Sequence, residues 1–298
     1  MAASRRRYAG HMQSSPLRNR LLLVSAALLF STGGAAIKAI SLNAWQVASF
    51  RSGIAALVLL AALPEARRGW KWSIVPVAAA YAATLIFFVL ANRLTTSANA
   101  IFLQSTAPLY LLLLGPLVLR EPIRGSDLLF MLAVLGGIVL FFVGTEAPLA
   151  TAPDPRRGNL FGLASGLTYA LMLVGLRWLA RRGKGDAALA ASTLGNVIAC
   201  LVVLPMALPV HSGGLKDVAA LVYLGAVQIG LAYVCLTRAI RYVPGVEATT
   251  LLMVEPVMNP VWAWLVHGER PGPWALGGGA MIVAGTLLNT WRQARARR

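Results

Sequence analysis

Glu255 stands inside a long apolar run, directly before Pro256, with Glu247 eight residues earlier and so roughly 80 degrees away around a helix of 3.6 residues per turn. An ionisable group in such a run needs a partner, a wet cavity or a short route to an interface. Glu255 can anchor the amino group of a bound molecule or take up a proton. The alternative is a buried ion pair with Arg51 or Lys38 that holds helices together. Lys38, Arg51 and Arg177 are the cations inside apolar runs. Lys38 and Arg177 lie near run ends, where a long side chain can reach the interface; Arg51 is deeper and is the first candidate partner for Glu255. Tyr81, Phe102, Tyr169, Tyr233 and Trp262 also lie deep in apolar runs, with Asn99, Gln104, Ser105, Thr106 and Gln228 among them. Ring faces and amide groups together suit an apolar or aromatic amino acid, the rings taking its side chain or its ammonium group; core packing is the alternative for any one of these residues. His267 closes an apolar run beside Glu269, and His11 and His211 lie in a tail and a loop, so no histidine is placed for a proton relay.

An enzyme needs a constellation that the chain lacks. HExxH, GxSxG and the P-loop pattern are all missing, and Cys200 and Cys235 lie singly in apolar runs, outside any metal-ligand spacing. No catalytic residue, metal or cofactor is expected. An intramembrane enzyme and a channel remain the rival classes to a carrier.

The elements that must hold these residues follow from composition. Hydrophobic residues make up 58% of the 298, only 12% are charged, and mean hydropathy is +0.69; soluble domains have about twice that share of charge. The lipid bilayer is the expected solvent. Apolar runs fall at 17–39, 44–63, 72–91, 98–119, 126–144, 158–180, 187–208, 217–237, 245–266 and 273–291, each near the length of about 20 residues that a crossing requires. None shows sustained alternation of period two, so the spans are helices rather than barrel strands. The fold class expected is an all-α integral membrane protein of ten transmembrane helices. The first run continues past Phe30 through "STGGAAI" and reads as a retained crossing rather than a cleaved signal.

The net charge of +17 would suggest nucleic acid in a soluble chain. Here the cations cluster between apolar runs, so the charge reads as orientation. With the N-terminus in the cytoplasm, that side collects 19 Lys and Arg against five (Arg93, Arg156, Arg157, Lys216 and Arg270) on the other, which places both termini inside. Trp45, Trp70, Trp72, Trp178, Trp274 and Trp291 lie near run ends and fit interfacial belts.

The chain also matches itself at a shift of 148 residues. "RLTTSANAIFLQSTAPLYLLLLGPLVLRE" aligns without a gap on "RYVPGVEATTLLMVEPVMNPVWAWLVHGE", pairing Arg93 with Arg241, Ala100 with Ala248, Pro108 with Pro256 and Glu121 with Glu269; Gly137 then meets Gly285. Lys38 and Arg177 correspond at a shift of 139. Each half has five crossings, an odd number, so the second half enters the membrane in the opposite sense: two inverted five-helix repeats, 5+5. Such repeats place a substrate site near the midplane, at their interface. The layout expected is a cytoplasmic tail (1–16), repeat 1 (17–144), a loop (145–157), repeat 2 (158–291) and a basic tail (292–298). Pro108 and Pro256 free the carbonyls of Gln104 and Leu252 and are candidate hinges; kinks that only assist packing are the alternative. Small residues in "GNLFGLASG" (158–166) and "AMIVA" (280–284) permit close helix packing, expected within one subunit of a monomer.

The doubled segments "APLYLLLLGPLVLREP" and "VEPVMNPVWAWLVHGERP", each apolar, Pro, apolar, then Arg or Gly before Glu, resemble the EamA family of the drug/metabolite transporter superfamily, most of all its YddG-type amino-acid exporters. The resemblance runs from about Leu21 to Leu288. It implies ten helices around a central cavity and export of metabolites from a bacterial cytoplasm across the inner membrane. The family often shows Glu-Pro where this chain has Glu255-Pro256, and Trp-Gly where it has Phe30-Ser31. The function expected is a secondary transporter that exports amino acids, aromatic or apolar ones, or related small metabolites by alternating access.

Overall fold

The computed structural model describes residues 16–119, 125–144, 147–181 and 187–295. Arg5, Arg6, Arg7, His11, Arg120, Glu121, Arg124, Arg182, Lys184, Arg297 and Arg298 lie outside them. Among the described residues the chain is helical, with one isolated β-bridge between Leu149 and Ala152. The helices are α1 (Pro16–Ser31), α2 (Gly33–Lys38), α3 (Ala44–Ala62), α4 (Val75–Leu94), α5 (Ser97–Gln104), α6 (Ala107–Leu114), α7 (Gly125–Val143), α8 (Pro155–Arg181), α9 (Ala187–Ala207), α10 (Leu215–Val222), α11 (Ala232–Ala239), α12 (Gly245–Leu252), α13 (Val254–His267) and α14 (Pro273–Arg295). A π-helical stretch, Tyr223–Leu231, joins α10 to α11.

Among the described residues, seven helical stretches are long and apolar enough to cross a membrane: Pro16–Lys38, Ala44–Ala62, Trp72–Leu94, Ser97–Val118, Pro155–Arg181, Ala187–Ala207 and Leu215–Ala239. The apolar runs near 126–144, 245–266 and 273–291 form helices as well, the first shorter and the second broken at Met253. Leucines and valines such as Leu57, Leu117, Leu201 and Leu265 point outwards all around the bundle, as side chains facing lipid do.

The ends of the helices are set by local chemistry. Asn43 and Gln46 form a reciprocal cap at the start of α3, each side chain accepting from the other's backbone N–H at 2.9 and 3.1 Å. Thr96 caps α5, and Gly268, with φ of 65°, ends α13 in the left-handed conformation that suits glycine. Two breaks lie where proline removes a helical N–H. α5 stops at Gln104 and α6 restarts with Pro108 in its first turn; α12 stops at Leu252 and α13 restarts just before Pro256. The Gln104 carbonyl, expected to be freed towards protein, water or ligand, lies against α8, 3.2 Å from where a Cβ on Gly166 would sit. A third break, between α1 and α2 at Thr32, was not expected from the sequence.

Packing is close where glycines line a face. Gly158, Gly162 and Gly166 of α8 lie against Thr95, Leu103 and Thr106 of the α4–α6 segment, and Gly137 of α7 meets Gly278 of α14 backbone to backbone. α4 packs on α8 and α9, α3 on α9 and on the π-helical stretch, α1 on α11 and α13, α5 on α8 and α13, and α7 on α14.

Candidate functional site

Four of the singled-out residues come together at the centre of the bundle. Tyr233 of α11 faces Tyr81 of α4 edge-on, with ring centroids 6.1 Å apart, and faces Phe30 of α1 at 5.6 Å. Glu255, in the first turn of α13, is close enough for its charge to act on the hydroxyls of both Tyr169 and Tyr233. Asn196 and Ser192 of α9 add polar groups beside Tyr81 and Tyr233.

Accessibility gives this cluster its shape. Tyr233 and Glu255 are half-buried, and Tyr169 keeps 36% of its surface open. Glu255 has no hydrogen bond or ion pair among the described residues, so its carboxylate stands near the Tyr169 and Tyr233 hydroxyls without a counter-charge.

The expected Arg51–Glu255 pair is not formed. Arg51 is 2% exposed, donates a long 3.4 Å bond to the Leu85 carbonyl and acts on Tyr81 rather than on Glu255; α3 holds it behind Tyr81. Nor does the Lys38 side chain reach out to solvent. It forms a buried ion pair with Glu269 at 3.0 Å, the two side chains 4% and 1% accessible, because the end of α13 returns beside the end of α2. Arg177, on the last turns of α8, is exposed, and Glu247 pairs with Arg20 at 2.5 Å near the opposite end of the bundle, with the side chains 33% and 52% accessible.

The remaining residues divide between bracing and packing. Gln228 donates to the Phe30 carbonyl at 3.2 Å, and the Trp262 indole donates to Ser31 Oγ at 2.9 Å. Both therefore hold the chain just before the break at Thr32. Gln104 donates to Ser165 Oγ, and Asn99 donates to Asn159 Oδ1 and Thr95 Oγ1; these amides tie α5 to α8. Phe102 packs against Phe141 and under Gly279 in the core. Pro108 and Pro256 sit at the two breaks, Pro256 next to Glu255. Sequence reasoning noted Phe30 only as standing where the family often has Trp, and passed over Ser192 and Asn196, whose only signal was a polar residue in an apolar run, a signal that many packing residues share.

A match to the EamA-like transporter family covers residues 19–143 and 156–291. The chain belongs to the EamA-like transporter family. It is a multi-pass membrane protein and a transporter of that family. An uncharacterized protein of Pseudomonas aeruginosa is 31% identical over 93% of this chain and 99% of its own length. An uncharacterized transporter of Archaeoglobus fulgidus is 29% identical over 70% of this chain and 73% of its own length. A protein of Pseudomonas aeruginosa named a pseudopaline exporter is 26% identical over 90% of this chain and 94% of its own length. These relatives hold nothing specific to YddG-type amino-acid exporters. A solved crystal structure, 19% identical, shares the fold with a TM-score of 0.59 over 94% of this chain and 99% of its own.

Proposed function

We propose that this protein is a secondary carrier that exports amino acids, aromatic or apolar ones, or related small metabolites across a bacterial inner membrane, with both termini in the cytoplasm. The observation that carries this reading is the partly open cluster on α1, α4, α8, α11 and α13, in which the Glu255 carboxylate stands without a counter-charge near Tyr169 and Tyr233, with Phe30 against Tyr233; in this reading the cluster lines the substrate hollow. A substrate ammonium group supplies the missing counter-charge, and a ring or aliphatic side chain fits against the aromatic faces.

Alternating access between two inverted five-helix halves follows from the repeat. α5, Ser97–Gln104, and α12, Gly245–Leu252, correspond residue for residue at the shift of 148, and each ends in the break that precedes the shared proline. Exchanging the halves maps the α4–α8 contact onto α11–α1 and the α4–α9 contact onto the π-helical stretch against α3, while α3–α9 and α7–α14 map onto themselves. The family match on two successive stretches supports the same division, with domain limits near 17–144 and 158–291. In this cycle Pro108 and Pro256 mark the hinges.

Purified protein in liposomes, loaded in turn with a panel of amino acids and with pseudopaline, should show saturable efflux of at least one aromatic or apolar amino acid. Efflux of pseudopaline alone would favour the second reading, an exporter of a different metabolite class, which the similarity to the pseudopaline exporter supports. Absence of flux for every amino acid would end the amino-acid assignment.

A further inference from the structure

One end of the bundle is shut by a connected set of polar contacts. Lys38 pairs with Glu269 at 3.0 Å and donates to the Thr95 carbonyl at 2.8 Å and to the Thr151 carbonyl. The other Glu269 oxygen accepts from the Ser97 backbone N–H at 2.5 Å, at the start of α5. Four pieces of chain therefore meet on two side chains: the end of α2, the corner between α4 and α5, the turn at 149–152 and the residue after the cap of α13. Beside them Arg93 donates to the carbonyls of Ile37, Ile40 and Leu42, Asp217 accepts from Ser41, and His267 bonds the Ala35 carbonyl.

We propose that the Lys38–Glu269 pair is the latch that holds this end closed, and that it parts when the carrier opens there. The proposal rests on the alternating-access reading above. Two features connect the latch to the hollow. α13 begins at Glu255's turn and ends two residues before Glu269, so one helical rod of 14 residues, about 21 Å long at 1.5 Å per residue, joins the two groups. α2 likewise runs from the Thr32 break, braced by Trp262 and Gln228 through Ser31 and Phe30, to Lys38. Between α2 and α13 lies an open crevice of about 180 Å³ lined by Thr32, Ala36, Trp262 and Val266, so the two rods are not packed closely along this face.

The chemistry suits a contact that must both hold and release. A buried ion pair gains attraction in a low dielectric but gives up the hydration of both ions, so the two states lie close in free energy. When the end opens, water returns to Lys38 and Glu269, and the Ser97 N–H gains access to water as well. Removing one charge leaves the other buried alone in the closed state and hydrated in the open one, which shifts the balance to open.

The test reads opening without using substrate. In a chain with Cys200 and Cys235 replaced by Ser, a reporter cysteine is placed at Phe30, inside the hollow, and intact cells receive a membrane-impermeant maleimide from outside. Glu269→Gln keeps a carbonyl oxygen for the Ser97 N–H and loses only the charge; Lys38→Met is the second variant, and a monodisperse peak in detergent shows that each has folded. Labelling of either variant from outside should be about tenfold faster than in the parent. The pair Lys38→Met with Glu269→Leu, apolar on both sides, should return labelling to the parent rate or below. Unchanged labelling in both single variants, or a double variant that labels as fast as the single ones, overturns the latch. Failure of the flux panel with the labelling pattern intact would count against the substrate and leave the latch standing.

Discussion

Gly158→Ala should lower the apparent Tm by about 6–12 °C, the equivalent of about 3 kcal/mol. A Cβ on Gly158 would sit 2.5 Å from the backbone nitrogen of Thr95 and 2.8 Å from the carbonyl carbon of Leu94. Those atoms cannot turn aside as a side-chain tip can. Thr95 N–H is held by the Ala91 carbonyl at 2.8 Å, Thr95 Oγ1 by Asn159 at 2.9 Å, and the Leu94 carbonyl accepts from Asp154 N–H at 3.0 Å. Relief requires α8 to move off the α4–α5 corner, which also strips Lys38 of one of its carbonyl partners. Gly277→Ala is the matched control. Its Cβ would meet Leu140 Cδ1 at an ordinary 3.7 Å, and the better helix propensity of alanine favours the variant slightly, so Tm should hold or rise. Thermal unfolding of the two variants in the same detergent checks both. Equal Tm values would mean that α8 does not approach α5 as closely as described.

Glu255→Gln should reduce transport about 10- to 100-fold, the effect of losing a charge-assisted contact of about 1.5–3 kcal/mol to a substrate ammonium. Its stability should move the other way. A carboxylate with no partner lowers the stability of the folded state, and the neutral amide relieves that cost, so Tm should be unchanged or higher. That combination separates a ligand role from a structural one, because breaking an ion pair between helices would lower Tm and transport together. Flux in liposomes and a melting curve on the same preparation give both numbers. Full flux with an unchanged Tm would make Glu255 a bystander.

The sequence carried the positions of the helices well because apolar runs bounded by charge leave few choices. The run at 187–208 became Ala187–Ala207, and the run at 245–266 became the interrupted stretch from Gly245 to His267. Proline and its repeat made the breaks at Pro108 and Pro256 legible. The break at Thr32 was not, since neither Thr nor the following glycines forbid a helix; the close packing after it was equally hidden, a Cβ on Gly34 lying 2.8 and 2.9 Å from the amide oxygens of Asn259 and Asn92. The cluster of Tyr81, Tyr169, Tyr233 and Glu255 could be collected from residue type and depth, although depth alone could not separate it from Asn99, Gln104 and Phe102, which face neighbouring helices. Charge pairing was the least legible. Lys38 near the end of an apolar run suggested a side chain reaching for water, and only the fold brings Glu269 to it from the far end of the chain; in the sequence Glu269 stood out as the neighbour of His267 and the repeat counterpart of Glu121, with nothing to tie it to Lys38.

Everything proposed for the transport cycle depends on the two halves crossing the membrane in opposite senses. Leu94, the last residue of α4, and Tyr242, which closes the turn after α11, are equivalent at the shift of 148, so single cysteines at these positions in the cysteine-free chain report the matter directly. Modification by an impermeant maleimide in intact cells and in inside-out vesicles should mark position 94 from outside and position 242 only from the cytoplasmic side. Marking of both positions from the same side would contradict the inverted arrangement, and with it the carrier built upon it.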